Sequence, residues 1–299
     1  MPSYIIYVFI ILIVLYLVKK LRTETTLNEN KKEIDKLLKD NYLITISILP
    51  IFTEKNDSYK KYYKVINYLD KISQSSDIFR RNKMSIKIGQ LADNEEDRWN
   101  KFLNLVDYAN QKNIFIWISA ITKNTLDQEY HYYKRLGQLG YKNIGITLAA
   151  YNSSVSKKID YILSEKGHVR LVKGIYEGNI HDEKLIDILY LKNSIKLIDS
   201  GYYHTIATHD FTIIKTLLKY KKSFNNYIEI GHFYNSFSFS KNNYDKLPIK
   251  LKFVSFYLPH GKYYPFIRDN IGLYSFQNKL YIVGAKINGL FYDLISFIN

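Results

Sequence analysis

Val169-Arg170-Leu171-Val172 is a short, mostly apolar β-type run, entered through His168 and left through Lys173-Gly174. Runs of the same kind stand on either side of it, at residues 144–148 and 203–207. Helical patterns lie between such runs, for example at 126–139 and 185–198. Reading outward, further β-type runs fall at 43–49, 84–88 and 114–118 upstream and at 227–230 and 252–257 downstream. Helical patterns at 63–72 and 99–108 separate the early ones. Strands of an all-parallel sheet read as short apolar runs joined by helices. Eight of them in alternation predict an α/β chain folded as a (β/α)8 TIM-like barrel. An open doubly wound sheet is the alternative, but no Gly-rich fingerprint follows any early run.

The chain has 299 residues, 46% of them hydrophobic, enough for a sizeable core and against wholesale disorder. Cys is absent, which excludes disulfides, thiolate metal sites and a Cys nucleophile. Lys and Arg number 43 against 28 Asp and Glu, a formal charge of +15. The cations are scattered and no nucleic-acid motif occurs, so no nucleic-acid partner is expected. An anionic membrane surface suits the charge better, given what opens the chain.

Residues 1–18 carry no charged side chain and are followed at once by Lys19, Lys20 and Arg22. As a helix, such a segment covers roughly 27 Å, near the thickness of a bilayer core. A cleavable signal would carry its cations ahead of the apolar run and a small-residue site after it. The reading is therefore a transmembrane anchor at 1–22, a linker with a short helix at 23–41, and the barrel at 42–299. The positive flank puts the C-terminal domain of a single-pass protein on the cytosolic side.

Barrel chemistry sits at the C-terminal ends of the strands. Those ends offer Lys87 after the second run and Arg170, Lys173 and Tyr176 around the fifth. Thr208, His209 and Asp210 follow the sixth, and Tyr257, Pro259 and His260 close the eighth. This is a cationic, aromatic mouth with almost no inward carboxylates, suited to an anionic planar ligand. It lacks the paired carboxylates of glycoside hydrolysis and gives no metal site, since His204 and His209 fall on opposite faces of a strand. Read alone, Arg170 and Lys173 are equally able to pair with acidic neighbours in the mouth, and Trp117 reads as core.

The run from His168 to Tyr176 is similar to the R-L-V-K-G-A-Y strand of proline dehydrogenases, FAD-dependent barrel enzymes that oxidise proline. Ala207-Thr208-His209-Asp210 resembles their next strand, and Tyr257-Leu258-Pro259-His260-Gly261 their last. The resemblance runs in order from about residue 84 to 265. It implies FAD as cofactor, with Arg170 near the flavin N5 and Lys173 and Tyr176 lining the cofactor pocket. Thr208 and His209 would lie beside the ribityl and pyrophosphate groups. Lys87 matches an active-site lysine and Tyr257 the tyrosine that packs on proline; without a gap neither arginine of the family's substrate clamp is matched, and with a one-residue deletion Arg268 replaces the first. A membrane quinone is the implied electron acceptor.

The chain also departs from that family. Ala149 stands where the family has Gln, and the third run ends Ile118-Ser119 with no carboxylate. Asp269 follows Arg268 where the family has a second Arg, and losing a bidentate clamp removes positioning as well as energy. Two functions follow: oxidation of proline or a related cyclic amino acid, or a catalytically degenerate barrel that binds or scaffolds.

Overall fold

The computed structural model of the chain describes residues 31–48, 55–119, 126–174, 179–208, 210–220, 227–233 and 254–260. The proposed anchor and three site positions, Tyr176, His209 and Arg268, lie outside the described residues. Among the described residues no helix is long and apolar enough to cross a membrane.

After a first helix α1 (Lys31–Lys39), strands and helices alternate: β1 (Leu43–Ile48), α2 (Lys55–Ile72), β2 (Lys83–Ile86), α3 (Glu95–Gln111), β3 (Ile116–Ile118), α4 (Leu126–Gln138) and β4 (Ile144–Ala149). There follow α5 (Val155–Ser164), β5 (Val169–Val172), α6 (Glu183–Asp199), β6 (His204–Ala207), α7 (Phe211–Tyr220), β7 (Ile228–Phe233) and β8 (Val254–His260). Every strand is parallel to its neighbours, and β8 pairs back onto β1 to close the barrel. The eight β-type runs of the sequence all become strands. The last is displaced toward the C-terminus, and the second ends before Lys87.

Alternation along each strand decides what lies where. In β1, Ile44, Ile46 and Ile48 join the apolar shell between strands and helices. Met84, Ile86, Ile116, Ile118, Ile146, Leu148, Leu171, Ile206 and Ile230 do the same on the following strands. The helices answer with Tyr62, Val65, Ile66 and Leu69 on α2, Phe102, Leu105 and Val106 on α3, and Ile213, Ile214 and Leu217 on α7. Burying such side chains is worth about 1.5–3 kcal/mol each, which favours this outer layer as the main hydrophobic core. Helix starts are specified locally: Asn94 caps α3 by accepting from the Asp97 N–H at 2.7 Å, and Asp182 caps α6.

The inner face is different from the continuous apolar filling that the strand runs suggest. Its N-terminal floor is aromatic. A 3-10 turn at Ile78–Arg80 brings Phe79 across that end of the barrel, stacked 4.6 Å from Tyr203 and edge-on 4.9 Å from His168. Phe115 and Trp117 complete the cluster, and Trp117 is fully buried, as core packing requires. Gly145 makes room for it, because a Cβ there would overlap the indole.

Among these rings sits a buried ion pair. Lys83 of β2 meets Glu229 of β7 at 2.9 Å, with both side chains 1% exposed or less. Glu229 also accepts from the Tyr203 hydroxyl at 2.9 Å and from Thr205 at 3.2 Å. Lys83 also donates to the carbonyls of Phe79 and Arg81, each at 3.0 Å, which fastens the turn to the strand. Both partners thus have further hydrogen bonds, which a buried pair needs to offset its desolvation.

Candidate active site

Above the floor, three consecutive strands supply hydroxyls to one cation. Arg170 points inward from β5 and is 6% exposed. Its Nε donates to Thr147 of β4 at 2.9 Å, and one terminal nitrogen donates to Ser85 of β2 at 2.9 Å and also to Ser119. The hydroxyls bond one another, Ser85 to Ser119 at 2.7 Å and Ser119 to Thr147 at 3.2 Å. The guanidinium carbon lies 5.5 Å from the centre of the Trp117 ring, close enough for a cation–π contact. The cation is therefore held by three hydroxyls and one ring.

Lys173 leaves the same strand but lies differently. Its ammonium is 2.6 Å from Asp187 on α6 and 3.0 Å from Asp210. Burial pulls its pKa down, but the hydrogen bonds to Asp187 and Asp210 outweigh that and raise it above its ordinary value. Asp210 shows the reciprocal effect: burial works to raise its pKa, but Lys173 and the N–H groups of Ile213 and Thr212 outweigh that and lower it below its ordinary value. Asp210 also caps α7 through those N–H groups, and its own N–H donates to the buried Thr208 hydroxyl at 3.1 Å. Besides Asp210, the mouth thus holds a carboxylate that strand-end reading alone did not bring inward, because Asp187 arrives on a helix.

The other predicted residues are partly placed. Lys87 is buried just beyond β2, where it begins a 3-10 turn and donates its backbone N–H to the Tyr62 hydroxyl at 3.1 Å. Tyr257 lies in β8, in register with Thr45 and with Phe233. Ala149 joins Leu126 and Tyr151 in a small apolar cluster, so an apolar wall stands where the similar family has Gln. Tyr151 packs on Gly174, whose φ is +125° and whose place a Cβ could not share with that ring. Burial, with a smaller contribution from Glu129, pushes the Tyr151 hydroxyl up to about 12, so it stays protonated near neutral pH. Among the described residues no three His, Asp or Glu gather as metal ligands.

Sequence reading missed Ser85, Ser119, Thr147, Lys83 and Glu229. Their signal was a polar residue recurring at alternate positions of apolar runs, as in Leu43-Ile44-Thr45-Ile46-Ser47-Ile48.

Comparison with known proteins gives a consistent picture. No protein-family model matches the sequence, and no curated protein matches it. Solved structures do match. The chain superposes on proline utilization A from Bdellovibrio bacteriovorus, inactivated by N-propargylglycine, with TM-score 0.66 and 14% identity, over 78% of this chain and 30% of that one. A mutant of proline utilization A from Bradyrhizobium japonicum gives TM-score 0.64 and 17% identity, over 80% of this chain and 28% of that one. Another proline utilization A structure, with proline bound in remote sites, gives 0.62 and 16%, over 80% and 27%. The chain spans less than a third of these longer chains. At such identities the likeness shows the fold, and it bears out the resemblance to proline dehydrogenases at that level.

Proposed function

We propose that the barrel binds FAD at the mouth of β4, β5 and β6 and oxidises proline or a related cyclic amino acid. The observation that carries the reading is Arg170, whose guanidinium is held in one place on the strand whose motif resembles that of proline dehydrogenases. The ring end of the site fits a flavin: a preorganised cation suits a group that gains negative charge on reduction. When bound, the flavin would supply the hydride-accepting chemistry. Arg170 would orient the ring edge and stabilise charge there. Thr208 would present its hydroxyl beside the cofactor chain, Lys173 would brace β5 against α6 and α7, and Tyr257 would meet the substrate. Residues 1–22 would anchor the chain in a membrane with the barrel on the cytosolic side, close to a quinone acceptor.

A second reading, a flavin-free barrel that binds without catalysis, is favoured by Lys173, whose charge is already met by Asp187 and Asp210. The absorption spectrum of the purified chain, expressed with excess FAD, separates the two. Flavin absorption that bleaches on adding proline or another cyclic amino acid supports the enzyme. Arg170→Ala removes a charge-assisted hydrogen bond of about 1.5–3 kcal/mol, so flavin retention falls tenfold or more. A wild-type chain that never carries flavin sinks the catalytic reading.

A further inference from the structure

The way Arg170 is held carries a consequence for the site. Ser85, Ser119 and Thr147 come from three neighbouring strands, all three are largely buried, and all three meet one guanidinium while bonding each other in a row. Ser119 is the hub, since it touches both other hydroxyls and the cation. A hydroxyl accepts a hydrogen bond without contributing a countercharge, whereas a carboxylate in the same place would cancel part of the cation's field. Trp117 closes the belt from below with the face of its ring. We propose that Ser85, Ser119 and Thr147 are positioning residues that fix the Arg170 guanidinium with neutral acceptors and so set the reduction potential of the flavin bound above it. This rests on the flavin reading for its second half, while the positioning itself stands on the geometry alone.

Side-chain substitutions and two separate readouts test it on the detergent-solubilised full chain. The first readout needs no flavin: the exchange rate of the Arg170 Nε–H with solvent, followed by nitrogen-resolved NMR and assigned by its loss in Arg170→Lys. Thr147→Val and Ser119→Ala should speed that exchange at least tenfold, while Thr147→Ser, which keeps the hydroxyl, should restore the wild-type rate. Thermal melts identify any variant that fails to fold, and Thr147→Ser against Thr147→Val remains decisive if Ser119→Ala does not. The second readout is the midpoint potential of bound flavin. Ser119→Asp should make it more negative by placing a countercharge against Arg170, and Thr147→Ser should leave it unchanged. Exchange that stays at the wild-type rate in every variant overturns the positioning role. Faster exchange with an unmoved potential overturns the link to the flavin. Faster exchange in a protein that takes up no flavin leaves the belt standing and removes the proposed function instead.

Discussion

Replacing Lys83 with Met should be among the most damaging single changes in the barrel. At 2.9 Å, and with an effective dielectric constant of about 20, the attraction between Lys83 and Glu229 is about 6 kcal/mol before desolvation is counted. Removing the ammonium deprives Glu229 of that attraction and leaves it with only the Tyr203 and Thr205 hydroxyls, deep among rings. It also frees the carbonyls of Phe79 and Arg81, which Lys83 holds. Breaking one side of a buried pair typically costs 3–5 kcal/mol, so Lys83→Met should lose about that much, lowering the melting temperature by about 6–20 °C. Replacing both partners behaves differently. Lys83→Met combined with Glu229→Gln still frees those carbonyls but removes both charges while keeping an acceptor for the hydroxyls, and should lose less than Lys83→Met alone. Urea unfolding of the wild type, the single variants and the double variant, followed by far-UV circular dichroism, measures all four corners of the cycle. A single variant within about 1 kcal/mol of wild type, or a double variant that loses the sum of the two singles, refutes the buried-pair account.

Three histidines, His204 and His232 buried and His168 half-buried, should make the fold acid-sensitive. Burial lowers the pKa of His168 to about 4, and of His204 and His232 to about 3. Below the unfolded value of about 6.5 only the unfolded chain takes up these protons, so stability is lost as pH falls from there toward the folded values; at pH 5 the loss is about 2 kcal/mol per histidine. Urea midpoints that match at pH 7 and pH 5 count against neutral, buried imidazoles. Gly174→Ala places a Cβ into the Tyr151 ring at a φ of +125° and should destabilise by about 2–5 kcal/mol; a melting temperature equal to that of wild type shows the ring and the turn to be less tightly fitted. A chain lacking residues 1–22 should stay folded in detergent-free buffer with unchanged circular dichroism; aggregation there would sink the anchor reading.

The order of strands and helices was legible because each outward strand face needs apolar side chains and each helix a matching stripe. Ile44, Ile46 and Ile48, or Leu171 beside Val169, make that pattern readable from a few neighbouring residues. Local caps such as Asn94 were within reach for the same reason. Arg170 was found because its strand motif resembles a known one. The belt around it was not, because Ser85, Ser119 and Thr147 are ordinary hydroxyl residues whose meeting depends on the stagger between strands. Glu229 was hidden more deeply, since its partner Lys83 lies 146 residues earlier and no local periodicity couples them. Asp187 carries no local signal of its role, and only the placement of α6 brings it to Lys173.

The pairing of β8 with β1 has a bearing on how the chain comes to fold. Leu43 lies opposite Ser255 and Ile48 opposite His260, so the seam joins the first and the last of the described strands. Contacts of such sequence separation form slowly, because the entropy of loop closure must be met before they can stabilise anything. Until β8 docks, β1 and β7 each present an unpaired edge able to recruit another chain. The Lys83–Glu229 pair also spans the seam, linking β2 to β7 across the two strands that meet there. Closing the seam is therefore a dehydration of the Lys83–Glu229 pair as well as a pairing of two strands.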